Sequence, residues 1–241
     1  MSETEIEIIR VLGCLGALGS FAIMVADWIG WTPRTEDRDL SYDGTGLDIP
    51  PVAEAVFLNQ RGRISDQRRF YGGVVGVVGM PFWLLGLAPI FLALSPAGIV
   101  PATIAVVLLS LFVGIGPFGH GGMVLINELH EAAIPLDRSS KDFPIMARAI
   151  RRATNMYMPI MAFAAIAFAL GSFLVSYLIW TADTAYPKFL AVYNLFIVFA
   201  ITRRRLLLPY SISRWTGPAC VHIFAFLPFI VVSTILVWNG V

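Results

Sequence analysis

The sequence predicts an all-α polytopic transmembrane bundle of about six spans, with one or two short interfacial helices, built as a single domain over residues 1–241. Three observations predict it. Of the 241 residues, 57% are hydrophobic and only 14% are charged, whereas soluble domains carry about 25% charged residues. The apolar residues fall into runs long enough to cross a bilayer. Finally, all of the 17 Lys and Arg except Arg10 and Lys188 lie in three alternate loops.

The expected spans cover residues 8–31, 71–94, 99–119, 158–180, 189–202 and 218–238. The first follows an acidic N-terminus, MSETEIEIIR. It lacks the basic stretch and small-residue cleavage site of a signal peptide, so this run is expected to persist as an anchor. Span one carries Gly13, Gly16 and Gly19, and span two carries Gly72, Gly73, Gly76, Gly79 and Gly86. Small residues let membrane helices approach closely, and no strand precedes these glycines to make them a phosphate loop. The loop 32–70 is punctuated by Asp-Gly-Thr-Gly and Pro50-Pro51 and is expected to hold a short amphipathic helix over 52–58. The turn at 95–98 is tight and uncharged. Ahead of span four, FPIMARAIRRA at 143–153 alternates Phe143, Met146, Ala147 and Ile150 with Arg148, Arg151 and Arg152. That is the pattern of an interfacial helix with a basic face toward lipid headgroups. Span five, at 14 residues, is the shortest. Pro81, Pro89, Pro117 and Pro159 are placed to kink helices.

Sidedness follows from the cations. Loop one holds Arg34, Arg38, Arg61, Arg63, Arg68 and Arg69; loop three holds Arg138, Lys141, Arg148, Arg151 and Arg152; loop five holds Arg203, Arg204, Arg205 and Arg214. The positive-inside rule puts these loops in the cytosol and both termini on the opposite side. Trp28, Trp31, Trp180, Trp215 and Trp238 stand near span ends, as interfacial aromatics do.

The chemistry centres on residues 108–131, LLSLFVGIGPFGHGGMVLINELHE. This stretch begins lipid-soluble and ends aqueous, with His120 at the changeover. If the helix runs through Gly121 and Gly122, Asn127 and Glu131 fall within about 20° of His120, and Glu128 about a quarter-turn away. Ionisable groups at that depth are costly and mark a function or a partner. Topology adds Asp27, one turn before the end of span one, and His222, at the start of span six. Asp27, His120, Glu128, Glu131 and His222 then share one leaflet. Asp27, His120 and Glu128 are the candidate catalytic groups. Asn127, Glu131, Tyr157, Asn194, His222 and Arg151 are candidate substrate-binding groups.

Other chemistries are not encoded. H-E-x-x-H, G-x-S-x-G, Walker A and the D-D-x-x-D diphosphate motif are missing. Cys14 and Cys220 form no C-x-x-C pair. No metal and no cofactor is therefore expected, and a net charge of +1 gives no bulk attraction to nucleic acid. What remains is acid–base work on an apolar substrate. Desolvation favours the neutral form of a carboxylic acid, and such an acid can protonate an alkene or epoxide while a positioned base removes a proton elsewhere. Aromatic faces would stabilise the cation between those steps. Phe82, Trp83, Phe118, Tyr157, Phe163, Tyr193 and Phe196 are the candidates.

In size, hydropathy and intramembrane acids the chain resembles the small membrane-integral terpene cyclases of fungal meroterpenoid pathways. That resemblance implies an all-helical protein that protonates a polyprenyl chain or its epoxide without metal. The segments LGCLGALGSFAIMVADW and GVVGMPFWLLGL…GPFGHGG also resemble an uncharacterised family of six-span membrane proteins, over roughly the first half of the chain. Neither comparison carries over a catalytic residue. The expected function is a cyclase or isomerase acting on an isoprenoid lipid, with membrane lipids as its other partners. The alternatives are a proton-coupled carrier of a small solute and a non-enzymatic assembly or lipid-binding factor.

Overall fold

A computed structural model describes residues 2–31, 66–133, 136, 139–203 and 226–240. Every regular element in it is helical: α1 Glu3–Trp31, α2 Asp66–Leu85, α3 Leu87–Leu94, α4 Ile99–Ala133, α5 Phe143–Thr181, α6 Leu195–Arg203 and α7 Leu227–Trp238. Helix is what lipid demands, because each backbone donor and acceptor is then satisfied within its own segment. Four helical stretches are long and apolar enough to cross a membrane: Glu3–Gly30, Gln67–Ala97, Ile99–His130 and Phe143–Thr181. Their outward faces agree with that reading. On α5, Met156, Phe163, Ile166, Leu170, Phe173 and Tyr177 all point away from the bundle. At 1.5 Å per residue this stripe is about 32 Å tall, close to the ~30 Å hydrocarbon core.

The second span is α2 and α3 in tandem. Pro89 has no N–H to offer the carbonyl of Leu85, so the ladder breaks there and Gly86 closes a tight turn onto Trp83, N to O 2.9 Å. The 95–98 turn forms as expected. It is a 3-10 turn over Ser95–Ala97, with Gly98 N–H donating to Ser95 O at 2.9 Å.

Two expectations are corrected. The segment 143–153 is not a separate interfacial helix but the first turns of α5. The helix runs on through Pro159, which removes only the bond to the carbonyl of Asn155. α4 runs on past the third span, which ends at residue 119, to Ala133 through Pro117 and the Gly121-Gly122 pair. The fifth run, 189–202, is interrupted. A 3-10 turn at Lys188–Ala191 ends before Asn194, whose side-chain oxygen accepts the N–H groups of Phe196 and Ile197 at 3.0 and 3.1 Å and so starts α6. The described part of α6 is nine residues, which is too short to cross alone. The proposed helix at 52–58 lies outside the described residues, as does the start of the sixth span.

α1 lies antiparallel along α2, α2 packs on α4, α4 on α5, and α7 closes the bundle against α1 and α3. Glycines set the first of these contacts. Gly16 meets Gly86, Gly19 meets Trp83 and Gly30 meets Gly72, in one constant register, backbone against backbone. Between α4 and α5 the register comes from Gly171 on Leu109, Gly122 on Tyr157 and Gly119 on Met161. The main core lies between these helices around Ile23, Trp83, Ile90, Leu109, Phe168 and Ile230. At the end of the bundle formed by the α1 N-terminus, Tyr186 stacks on Phe229 with ring centroids 5.2 Å apart, and its hydroxyl meets Ser233 Oγ at 2.6 Å. Burial pushes that phenol well above the ordinary tyrosine range, and the serine bond offsets only part of the shift.

Candidate functional site

Asp27 is the first residue to place. α1 presents it next to Trp28, whose ring faces outward at the bundle edge. α4 presents His120 from the other side. The two meet, His120 Nε2 to Asp27 Oδ1, at 3.9 Å, with side chains 14% and 13% exposed respectively. This is an ion pair when the imidazole is protonated. The distance exceeds a direct hydrogen bond, so the pair is close enough to interact and open enough to admit a reacting group or a small rearrangement.

α2 stands between these helices, and Gly76 explains how they meet across it. The His120 ring lies directly on the Gly76 backbone. A Cβ at that position would fall 2.5 Å from Nδ1 and 2.8 Å from Cγ. Any other residue would push the imidazole off the helix and away from Asp27. Gly76→Ala is therefore expected to open the pair while the fold survives, because a rotating side chain, not backbone, absorbs the clash. A double-mutant cycle with Asp27→Asn checks this. If the two changes act through one pair, their effects on function fall well short of additive.

Depth separates the candidate acids. The α4–α5 register sets His120 level with Ile160, inside the lower edge of the apolar stripe that begins at Met156. It sets Glu128 level with Arg152, beyond that edge. Glu128 is 47% exposed and lies 3.9 Å from Arg69, which is itself 2% exposed. Asp27 is thus the carboxyl embedded in the bundle, and Glu128 belongs to the charged layer below it. α4 is continuous through Gly121-Gly122, so Asn127 does follow His120 on one stripe. Asn127 is buried, and its Nδ2 finds no hydrogen-bond acceptor among the described residues. Tyr157 is buried one turn away. Its hydroxyl donates to Gly119 O at 3.2 Å, and its ring stacks on Phe118 at 5.8 Å. That contact holds the backbone that carries His120.

The remaining candidates are not gathered here. Asn194 sits far along α5, its Nδ2 donating to Ser176 Oγ at 3.0 Å. It caps α6, at a distance from the Asp27–His120 pair. Arg151 is exposed on the outside of α5. His222 and the side chain of Glu131 lie outside the described residues. Of the aromatic candidates, Trp83 and Phe196 point inward, whereas Phe82 and Phe163 face out.

A cavity of about 20 Å³ lies roughly two helical turns deeper than His120, lined by Trp83, Leu87, Phe112, Val113, Phe168 and Phe226 among others. Its walls are wholly apolar and strongly aromatic: Trp83 is edge-on to Phe226 at 4.5 Å, and Phe112 stacks on Phe168 at 4.6 Å.

Sequence reasoning missed Phe112, Phe168 and Phe226 as ring-bearing walls, Arg69 as a buried cation and Gly76 as the gap between acid and base. Phe112 and Phe168 carry no polar signal to distinguish them from other apolar residues. Arg69 looked like one more loop cation. Residues 1–238 match a protein family described as Family of unknown function (DUF6796). No curated protein and no solved structure matches the chain.

Proposed function

The chain belongs to that family of unknown function, and from the geometry of its site we propose that it is an intramembrane acid–base enzyme, a cyclase or isomerase of an isoprenoid lipid. The observation that carries this reading is the embedded Asp27–His120 pair, 3.9 Å apart on two different helices. The protonated Asp27 carboxyl gives its proton to a terminal alkene or epoxide oxygen. The resulting carbocation is quenched by ring closure, and His120 takes the proton lost at the far end. Return of that proton from His120 to Asp27 across the 3.9 Å gap, by way of solvent, regenerates both groups. Substrate and product then have equal mass, and no oxidant or cofactor is consumed. The aromatic faces about 10 Å deeper, at 1.5 Å per residue from His120 to Val113, are of the kind that favours a cation. The one-sided distribution of cations supports a site opening to the cytosolic leaflet.

The test is to express the chain in microsomes with a prenylated phenol or its epoxide and to look for a cyclised isomer. In heavy water the isomer formed from the alkene gains one deuterium on carbon, whereas the epoxide leaves it on an exchangeable hydroxyl. A panel of such substrates recovered unchanged overturns the reading. The embedded pair also favours a second one, because an acid and a base 3.9 Å apart can pass a proton without any room for a prenyl chain. On that reading the pair is the relay of a proton-coupled carrier. Flux in proteoliposomes driven by a pH gradient, with the solute chemically unchanged, would select it.

A further inference from the structure

The outward stripe of α5 changes character at one level. From Tyr177 down to Met156 it is apolar. One turn below, the same face carries Asn155, Arg152, Arg151 and Arg148, all exposed. At 100° per residue these four positions span just over a quarter of the helix circumference, about 100°, centred on the direction of Ile166 and Phe173. They are therefore not on a face turned to another helix. They lie where the acyl chains beside Met156 give way to headgroups. Among the described residues the three exposed guanidiniums meet no counter-charge. Each offers a planar fork of donors matched to phosphate oxygens.

We propose that Arg148, Arg151 and Arg152 form a binding site for the phosphate of an anionic bilayer phospholipid, whose acyl chains run up the Met156–Phe163–Ile166 stripe. The site is independent of the Asp27–His120 chemistry. It lies on the outer surface of α5, whereas the pair faces α2. Its partner is a lipid of the surrounding membrane, not a soluble anion, because chain contacts and headgroup contacts lie on one continuous face. The arrangement also anchors the register of α5 against the bilayer, and with it the depth at which α4 holds His120.

The experiment uses the full chain in nanodiscs of phosphatidylcholine with about one-fifth phosphatidylglycerol, followed by delipidation and native mass spectrometry. The native chain is expected to retain phosphatidylglycerol well above its share of the bilayer. The triple change Arg148→Gln, Arg151→Gln and Arg152→Gln is expected to remove that preference, with single changes costing about fivefold each. Lysine at the same three positions restores part of the preference and shows that the Gln variant was folded. Arg10→Gln, at the other end of the bundle, leaves it intact. Equal retention by the native and triple-Gln chains overturns the proposal. So does a preference abolished by millimolar inorganic phosphate, which would mark a soluble-anion site, or one lost equally in Arg10→Gln.

Discussion

Replacing Asp27 by asparagine is expected to lower turnover in the isomerisation assay by about 10²–10⁴-fold, the range lost with a positioned general acid. The side chain keeps its size and its place beside His120, so the loss reports the missing proton and not a repacked helix. Glu128→Gln is expected to cost about tenfold at most, because that carboxyl is 47% exposed and sits in the charged layer with Arg69. The comparison is decisive because the two acids were equivalent candidates on sequence grounds. Should Glu128→Gln prove the more damaging, the acid is misassigned and the reaction takes place at the surface, not within the bundle. Full turnover in both Asp27→Asn and His120→Ala would remove the pair from the mechanism altogether.

The second large effect is on stability. Gly16 lies against the Cα and backbone nitrogen of Gly86, and a methyl group there would overlap them. Backbone cannot rotate out of the way, so α1 must lift off α2 and α3. That separation would also loosen Gly19 on Trp83 and Gly30 on Gly72. Gly16→Ala is expected to destabilise the protein by about 3 kcal/mol, the upper range of overpacking costs. Thermal unfolding in detergent measures it. Gly114→Ala serves as the control. Its added methyl meets nothing within 4 Å, and alanine is the better helix former by about 1 kcal/mol, so this variant should match or exceed the native midpoint. A Gly16→Ala protein as stable as Gly114→Ala would mean that the α1–α2 contact is looser than described.

Hydropathy alone foretold much of this architecture. Long apolar runs can only be helices in lipid, so α1, α2 with α3, α4 and α5 were expected, as was the uncharged 95–98 turn. The boundaries were harder. A run-length rule stops at the first polar residue, whereas a helix stops only where its hydrogen-bond ladder fails. That is why α5 absorbed the basic segment before it. Asn194 carries a related ambiguity. A polar residue within an apolar run has the same appearance whether it binds a ligand or caps a helix, and only the positions of the Phe196 and Ile197 amides distinguish the two.

The sequence by itself determined that Asp27 and His120 belong near span ends with the same charge bias, because periodicity and cation placement are local properties of the chain. It did not determine that they touch. That depended on the register of α1 on α2 and of α2 on α4, and on a glycine at position 76 bare enough for an imidazole to lie across it. Registers between helices arise from close packing of residues far apart in sequence, and no local pattern encodes them. For the same reason only the tertiary structure could separate Asp27 from Glu128, by seating one among apolar helices and leaving the other half in water beside Arg69.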